Sequence, residues 1–163
     1  FASKADIKRM SSPGSMLVNA AASGDKPAVK RLLKDGVPPS SPDWDGKTAL
    51  QLAAGEGHVD VCRLLLKEDG VDVDAADADG ATALQEAARG GHVKACQLLL
   101  DEGADVNRAA GTGATAAYLA AAWGRLDVLK LLVGKGGDAA VRRSDGATAL
   151  SEAAGRGHAD VVK

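Results

Sequence analysis

Aromatic side chains are nearly missing from this chain. They make up 2% of its 163 residues, as Phe1, Trp44, Tyr118 and Trp123. Hydrophobic residues still reach 45%, so a core without rings has to be assembled from Ala, Leu and Val, and such small side chains suit thin helices at close approach. An excess of either charge is missing too. Lys and Arg number 20 against 22 Asp and Glu, a formal net charge of -2, which argues against a surface built to hold nucleic-acid phosphates. No apolar run approaches the roughly 20 residues of a membrane-spanning helix. The longest, residues 114–123, is mostly alanine and contains Thr115 and Tyr118. A soluble protein is therefore expected, of a length that suits one domain. Residues 1–9 read as a leader without a signal-peptide apolar stretch or cleavage pattern. Phe1 stands where an initiator Met would, and residues ahead of it are expected to have been removed.

What the chain has in abundance is self-similarity. Asp45-Gly46-Lys47-Thr48-Ala49-Leu50 returns as Asp79-Gly80-Ala81-Thr82-Ala83-Leu84, then as Thr112-Gly113-Ala114-Thr115-Ala116-Ala117, then as Asp145-Gly146-Ala147-Thr148-Ala149-Leu150. The glycines step by 34, 33 and 33 residues, and a second landmark follows each: Gly57-His58, Gly91-His92, Gly124-Arg125 and Gly157-His158. A fixed period of this size signals stacked repeats. The spacing divides residues 10–163 into units 10–42, 43–76, 77–109, 110–142 and a truncated 143–163. The extra residue of the second unit falls in the Lys67-Glu68-Asp69-Gly70 turn, where insertion costs little.

Each unit reads as turn, helix, turn, helix, turn. Asp-Gly makes a tight turn and Thr caps the helix that follows; Thr48 with Gln51 and Thr82 with Gln85 complete capping boxes. Alanine pairs (Ala53-Ala54, Ala87-Ala88, Ala120-Ala121, Ala153-Ala154) let a neighbouring helix approach closely. Gly ends the first helix, and the second carries an apolar stripe such as Val59, Val61, Cys62, Leu65 and Leu66. At about nine to eleven residues neither helix persists alone in water, so each unit has to bury a face on the next.

These residues resemble the ankyrin repeat, whose unit of about 33 residues carries T-P-L-H-x-A in helix one, G-H between helices and a G-A-D-x-N turn after helix two. Residues 98–107 follow the pattern closely. The departures are regular: Ala49, Ala83, Ala116 and Ala149 stand at the signature Pro, and Gln51, Gln85, Tyr118 and Ser151 at its His. The first unit keeps only Leu17 and the alanines, which fits a capping repeat whose exit is stiffened by Pro38, Pro39 and Pro42. The resemblance implies an all-α solenoid with short, hairpin-like turns.

Residues that suggest chemistry are explained by their place in the repeat. The three histidines occupy one equivalent position, about 8 to 10 Å apart in neighbouring units, too far to share a zinc ion easily. Cys62 and Cys96 are equivalent to each other as well. Their expected separation exceeds the reach of about 7 Å for a disulfide, so they read as buried thiols in a reducing, intracellular compartment. Gly46-Lys47-Thr48 imitates a phosphate loop, but Ser41 replaces the required Gly. Residues 111–116 imitate a dinucleotide fingerprint without the strand before it. Asp77, Asp79, Gly80 and Glu86 fit positions of a calcium loop whose first ligand would be Ala75. No catalytic, metal or cofactor site is expected, and the chain reads as non-enzymatic, with no small-molecule substrate.

What remains is surface. The resemblance implies that a protein partner lies on the concave face, formed by turn tips and the exposed side of helix one. Those positions hold Trp44, Asp45, Lys47 and Glu56, then Asp79 and Arg89, then Thr112 and Trp123, then Ser144, Asp145 and Arg156. Exposed Trp and Arg are enriched in binding hot spots; the competing reading packs each Trp on its own turn. A scaffold or adaptor is the expected function, against a structural subunit or the targeting arm of an enzyme. The last unit stops within its second helix, so the chain is expected to continue past Lys163 or to be covered there by another protein.

Overall fold

The computed structural model describes residues 3–5, 8 and 11–163, so the leader falls largely outside the described residues, as does Met10 of the first unit. From Pro13 onward ten helices follow in pairs: α1 (Pro13–Ala22) and α2 (Lys26–Lys34), α3 (Ala49–Gly55) and α4 (Val59–Leu66), α5 (Ala83–Gly90) and α6 (Val93–Asp101), α7 (Ala116–Ala122) and α8 (Leu126–Gly134), α9 (Ala149–Gly155) and α10 (Ala159–Val162). The first helices pack in a row, α1 on α3 on α5 on α7 on α9, and the second helices form a looser parallel row, α2 on α4 on α6 on α8. Among the described residues the tips add only an isolated bridge between Arg142 and Thr148. The architecture is the all-helical solenoid expected from the spacing.

The close inner row follows from its side chains. Ala53, Ala54, Ala87, Ala88, Ala120 and Ala121 are buried, with Leu17, Leu50 and Leu84 between the layers. The second helices contribute Val61, Cys62 and Leu65, then Ala95, Cys96 and Leu99, then Val128 and Leu132. Truncating such a buried Leu costs about 2 to 5 kcal/mol.

The helices start as expected. Thr48, Thr82, Thr115 and Thr148 accept from the amide three residues on, and the boxes with Gln51 and Gln85 are present. A third box, Thr148 with Ser151, went unread in the sequence because Ser is short for the role. The two glutamines do more than cap. Gln51 Nε2 donates to the Ala81 carbonyl at 2.6 Å and Gln85 Nε2 to that of Arg108 at 2.7 Å, each tying its unit to the next.

The Gly-His landmark is a second lock between units. Gly57 has φ 78°, a left-handed value that disfavours any side chain, and the His92 ring lies against it: an added Cβ would meet His92 Nδ1 at 2.6 Å. Gly24 and Gly124 receive His58 and His158 in the same way. His58 Nε2 lies 3.0 Å from the Ala22 carbonyl. Arg125, which replaces the histidine in the fourth unit, preserves this contact by donating from Nε to the Arg89 carbonyl at 3.0 Å.

Candidate functional site

The tips are built by hydrogen bonds that leave specific side chains facing outward. Asp43 N donates to Lys47 O at 2.8 Å and Asp77 N to Ala81 O at 3.0 Å, closing tight turns around Gly46 and Gly80. Asp43 Oδ1 accepts from the amides of Asp45 and Lys47, and Asp77 Oδ1 from those of Asp79 and Ala81. With Asp43 committed to its turn, Trp44 projects away from it and keeps 69% of its surface exposed. Trp44, Asp45 and Lys47 then share a shallow cleft with Asp77 and Asp79 of the next tip.

A second cleft, of about 370 Å³, runs across the inner helices of three units. Lys47 and Glu56 enter it from the second unit, Arg89 from the third, and Trp123 and Arg125 from the fourth. Lys47 lines both clefts, so the two adjoin at this residue. Trp123 caps the end of α7 and is 39% exposed, with the Arg156 guanidinium 4.6 Å from its ring centroid, inside the range of a cation–π contact. Arg156 is itself held by Glu152, Nε to Oε2 at 3.2 Å.

The structure therefore places Trp44, Asp45 and Asp79 in one cleft and Glu56, Arg89 and Trp123 in another, with Lys47 lining both and Arg156 beside Trp123. Thr112 and Asp145 line neither cleft. The Thr112 carbonyl accepts from Ser144 N at 2.9 Å, and Asp145 pairs with Arg143 at 3.2 Å while accepting from Ala147 N. Both serve the tips of the last two units. Trp44 keeps most of its surface exposed beside Pro42 and Asp43, and Trp123 contacts a side chain from the next unit.

Asp77, Glu86 and Arg125 also line the clefts, outside the concave-face set read from the sequence. The Glu86 carboxylate lies 2.5 Å from Arg89 Nη2 and 3.7 Å from Lys47 Nζ. The i,i+3 spacing to Arg89 was a legible signal; the partnership with Lys47, 39 residues earlier, was not. Asn107 is held between units, donating to the Gly136 carbonyl at 3.0 Å and accepting from Asp138 N at 2.9 Å. Cys62 and Cys96 are buried away from the clefts, and burial pushes both thiols up to about 12. Among the described residues no helix is long and apolar enough to cross a membrane.

Comparison with known proteins gives the same fold. Residues 17–110 match the family described as ankyrin repeats (3 copies), and residues 90–133 and 118–163 match that described as ankyrin repeats (many copies). Ankyrin repeat domain-containing protein 46 of Rattus norvegicus is 47% identical over 51 residues, 31% of this chain and 22% of that protein. Ankyrin repeat domain-containing protein 39 of Homo sapiens is 45% identical over 49 residues, 30% of this chain and 27% of that protein. The mitochondrial liver isoform of glutaminase of Rattus norvegicus is 43% identical over 51 residues, 31% of this chain and 8% of that protein. The chain thus spans less than a third of each of these relatives.

Proposed function

Because the chain belongs to the ankyrin-repeat family, whose repeats serve generally as protein–protein interaction modules, we propose that it is a non-enzymatic scaffold or adaptor that binds a protein on its concave face. The observation that carries this reading is that the two tryptophans of an aromatic-poor chain line two clefts that share Lys47, with Arg89 in the same cleft as Trp123. Trp and Arg supply large contact areas and are the types most enriched in hot spots. The near-neutral charge suits a protein partner better than nucleic acid, and shallow, open clefts suit a peptide surface better than a small-molecule substrate. Two buried, unbridged thiols suit a reducing intracellular compartment.

Affinity capture followed by mass spectrometry, with the natural chain beside the Trp44→Ala, Trp123→Ala double variant, tests this. A protein retained only by the natural chain is the expected result. Partners shared equally by the two would place binding on another surface.

A second reading, the targeting arm of an enzyme, is favoured by one observation: the match to glutaminase occupies 8% of that enzyme. A full-length reading frame that joins this chain to a catalytic domain would establish it.

A further inference from the structure

Five Asp-Gly pairs occur in the chain, at residues 35–36, 45–46, 69–70, 79–80 and 145–146. The dipeptide carries a latent reaction, because no side chain hinders the glycine nitrogen and the Asp carboxyl carbon lies within reach of it for ring closure. Most of the pairs are held against that reaction. The amides of Gly36, Gly46, Gly80 and Gly146 donate to the carbonyls of Leu33, Asp43, Asp77 and Arg143 at 2.9 to 3.1 Å. An amide committed in this way has to give up its hydrogen bond before its nitrogen can attack. Gly46 and Gly80 are crowded as well, with the backbone nitrogens of Ala78 and Gly111 at 3.3 and 2.9 Å from where a side chain would begin. The Asp145 carboxylate is engaged by Arg143 and by the Ala147 amide.

Asp69–Gly70 combines an open surround with an uncommitted amide. In the first, third and fourth units the glycine that follows the second helix closes it, Gly36, Gly103 and Gly136 each donating to the carbonyl three residues back at 3.0 to 3.1 Å. The extra residue of the second unit changes this. Glu68 makes the closing bond instead, to the Leu65 carbonyl at 3.0 Å, and Gly70 is displaced beyond it. Among the described residues the Gly70 amide has no acceptor and the Asp69 carboxylate has neither a donor nor a cation. Both residues are exposed, and nothing lies within 4 Å of where a side chain would begin on Gly70. They line neither concave cleft.

We propose that Asp69–Gly70 is a covalent modification site, at which the folded chain forms an isoaspartyl linkage. The Gly70 nitrogen attacks the side-chain carboxyl carbon of Asp69. The amide proton and the carboxyl hydroxyl leave as water, and a succinimide ring closes. Water then opens the ring. Attack at the former backbone carbonyl leaves the chain running through the Asp69 side chain, with one methylene more in the backbone and a free α-carboxylate. The longer turn falls where the repeat already accommodates an extra residue, so the helices on either side keep their packing. The new α-carboxylate is exposed and has the chemistry of a methyl acceptor: in the hands of an isoaspartyl methyltransferase its oxygen takes the methyl group of S-adenosylmethionine and releases S-adenosylhomocysteine.

Prolonged incubation of the folded chain at neutral pH, followed by peptide mapping with electron-transfer fragmentation, tests the proposal, with the same chain in guanidinium chloride as the control. In the folded chain isoaspartate should accumulate at Asp69 about tenfold or more faster than at Asp35, Asp45, Asp79 or Asp145, the ratio that one retained hydrogen bond of ordinary strength gives. In denaturant the rates at all these positions should converge. An isoaspartyl methyltransferase supplied with labelled S-adenosylmethionine should label the aged folded chain in the peptide that contains Asp69. Asp69→Glu should keep its helicity by circular dichroism and lose nearly all of that label, because its ring would be the larger and slower-forming glutarimide. Comparable rates at every Asp-Gly pair of the folded chain, a faster rate at another pair, or conversion in denaturant alone would each overturn the assignment.

Discussion

The thiols of Cys62 and Cys96 titrate near 9 in the unfolded chain and are pushed up to about 12 by burial. Below about pH 9 they are protonated in both states, and their burial contributes fully to stability. Between about 9 and 12 the unfolded chain releases their protons while the folded chain retains them. Stability therefore falls as pH rises through this window, by up to about 1.4 kcal/mol per pH unit for each thiol. Denaturant unfolding at a series of alkaline pH values should show this fall, and Cys62→Ala with Cys96→Ala should flatten it relative to its own neutral-pH value. An identical alkaline slope in the two proteins would mean that the thiols ionise in place. The residue scale also shows where sequence reading stopped. Trp44 was legible as exposed because it falls at a tip position of the repeat, and 69% of its surface is exposed. Glu86 was assigned to an imitation calcium loop because its contact with Lys47 spans 39 positions, a distance that no local pattern encodes.

Within the helices and turns, the most legible features are those whose partners are near in sequence. The Thr caps and the Gln boxes bond three residues away, so a pattern of spacing suffices to find them. The locks between units were not legible, although they use the same residues, because the Gln51 and Gln85 amides reach carbonyls 30 and 23 positions on. The histidines needed the fold for their meaning: each ring lies on the glycine of the preceding unit. This gives a contrast between two glycines of similar backbone, Gly57 with φ 78° and Gly136 with φ 89°. Gly136→Ala meets nothing within 4 Å and should cost only the left-handed strain, about 1 to 2 kcal/mol. Gly57→Ala carries that strain and also displaces the His92 ring, adding about 1 to 3 kcal/mol from overpacking. Equal losses in thermal or denaturant unfolding would show that the ring does not seat there.

Across the whole molecule, stability in a stacked array is a sum of units and of the interfaces between neighbours, and the interfaces here differ. The second and third units clamp their successors through Gln51 and Gln85. The fourth has Tyr118 at this position, which meets the next unit through Arg143, whose guanidinium lies 6.0 Å from the ring centroid. The final helix, α10, buries no residue. Hydrogen exchange should therefore be fastest over residues 143–163 and slowest over α3 to α7; uniform protection along the chain would contradict this ranking. The 33-residue period made the array itself legible, since every unit repeats in phase, whereas the partner is recorded only in the surface that the array assembles. Calorimetric titration of a captured partner against single variants of the two faces tests that surface most directly. Trp44→Ala or Trp123→Ala should weaken binding by about 2 kcal/mol or more, while Arg63→Ala or Lys94→Ala, exposed on α4 and α6, should change it by less than about 0.5 kcal/mol. Losses at Arg63 or Lys94 that match or exceed those at the tryptophans would contradict the assignment of binding to the concave face.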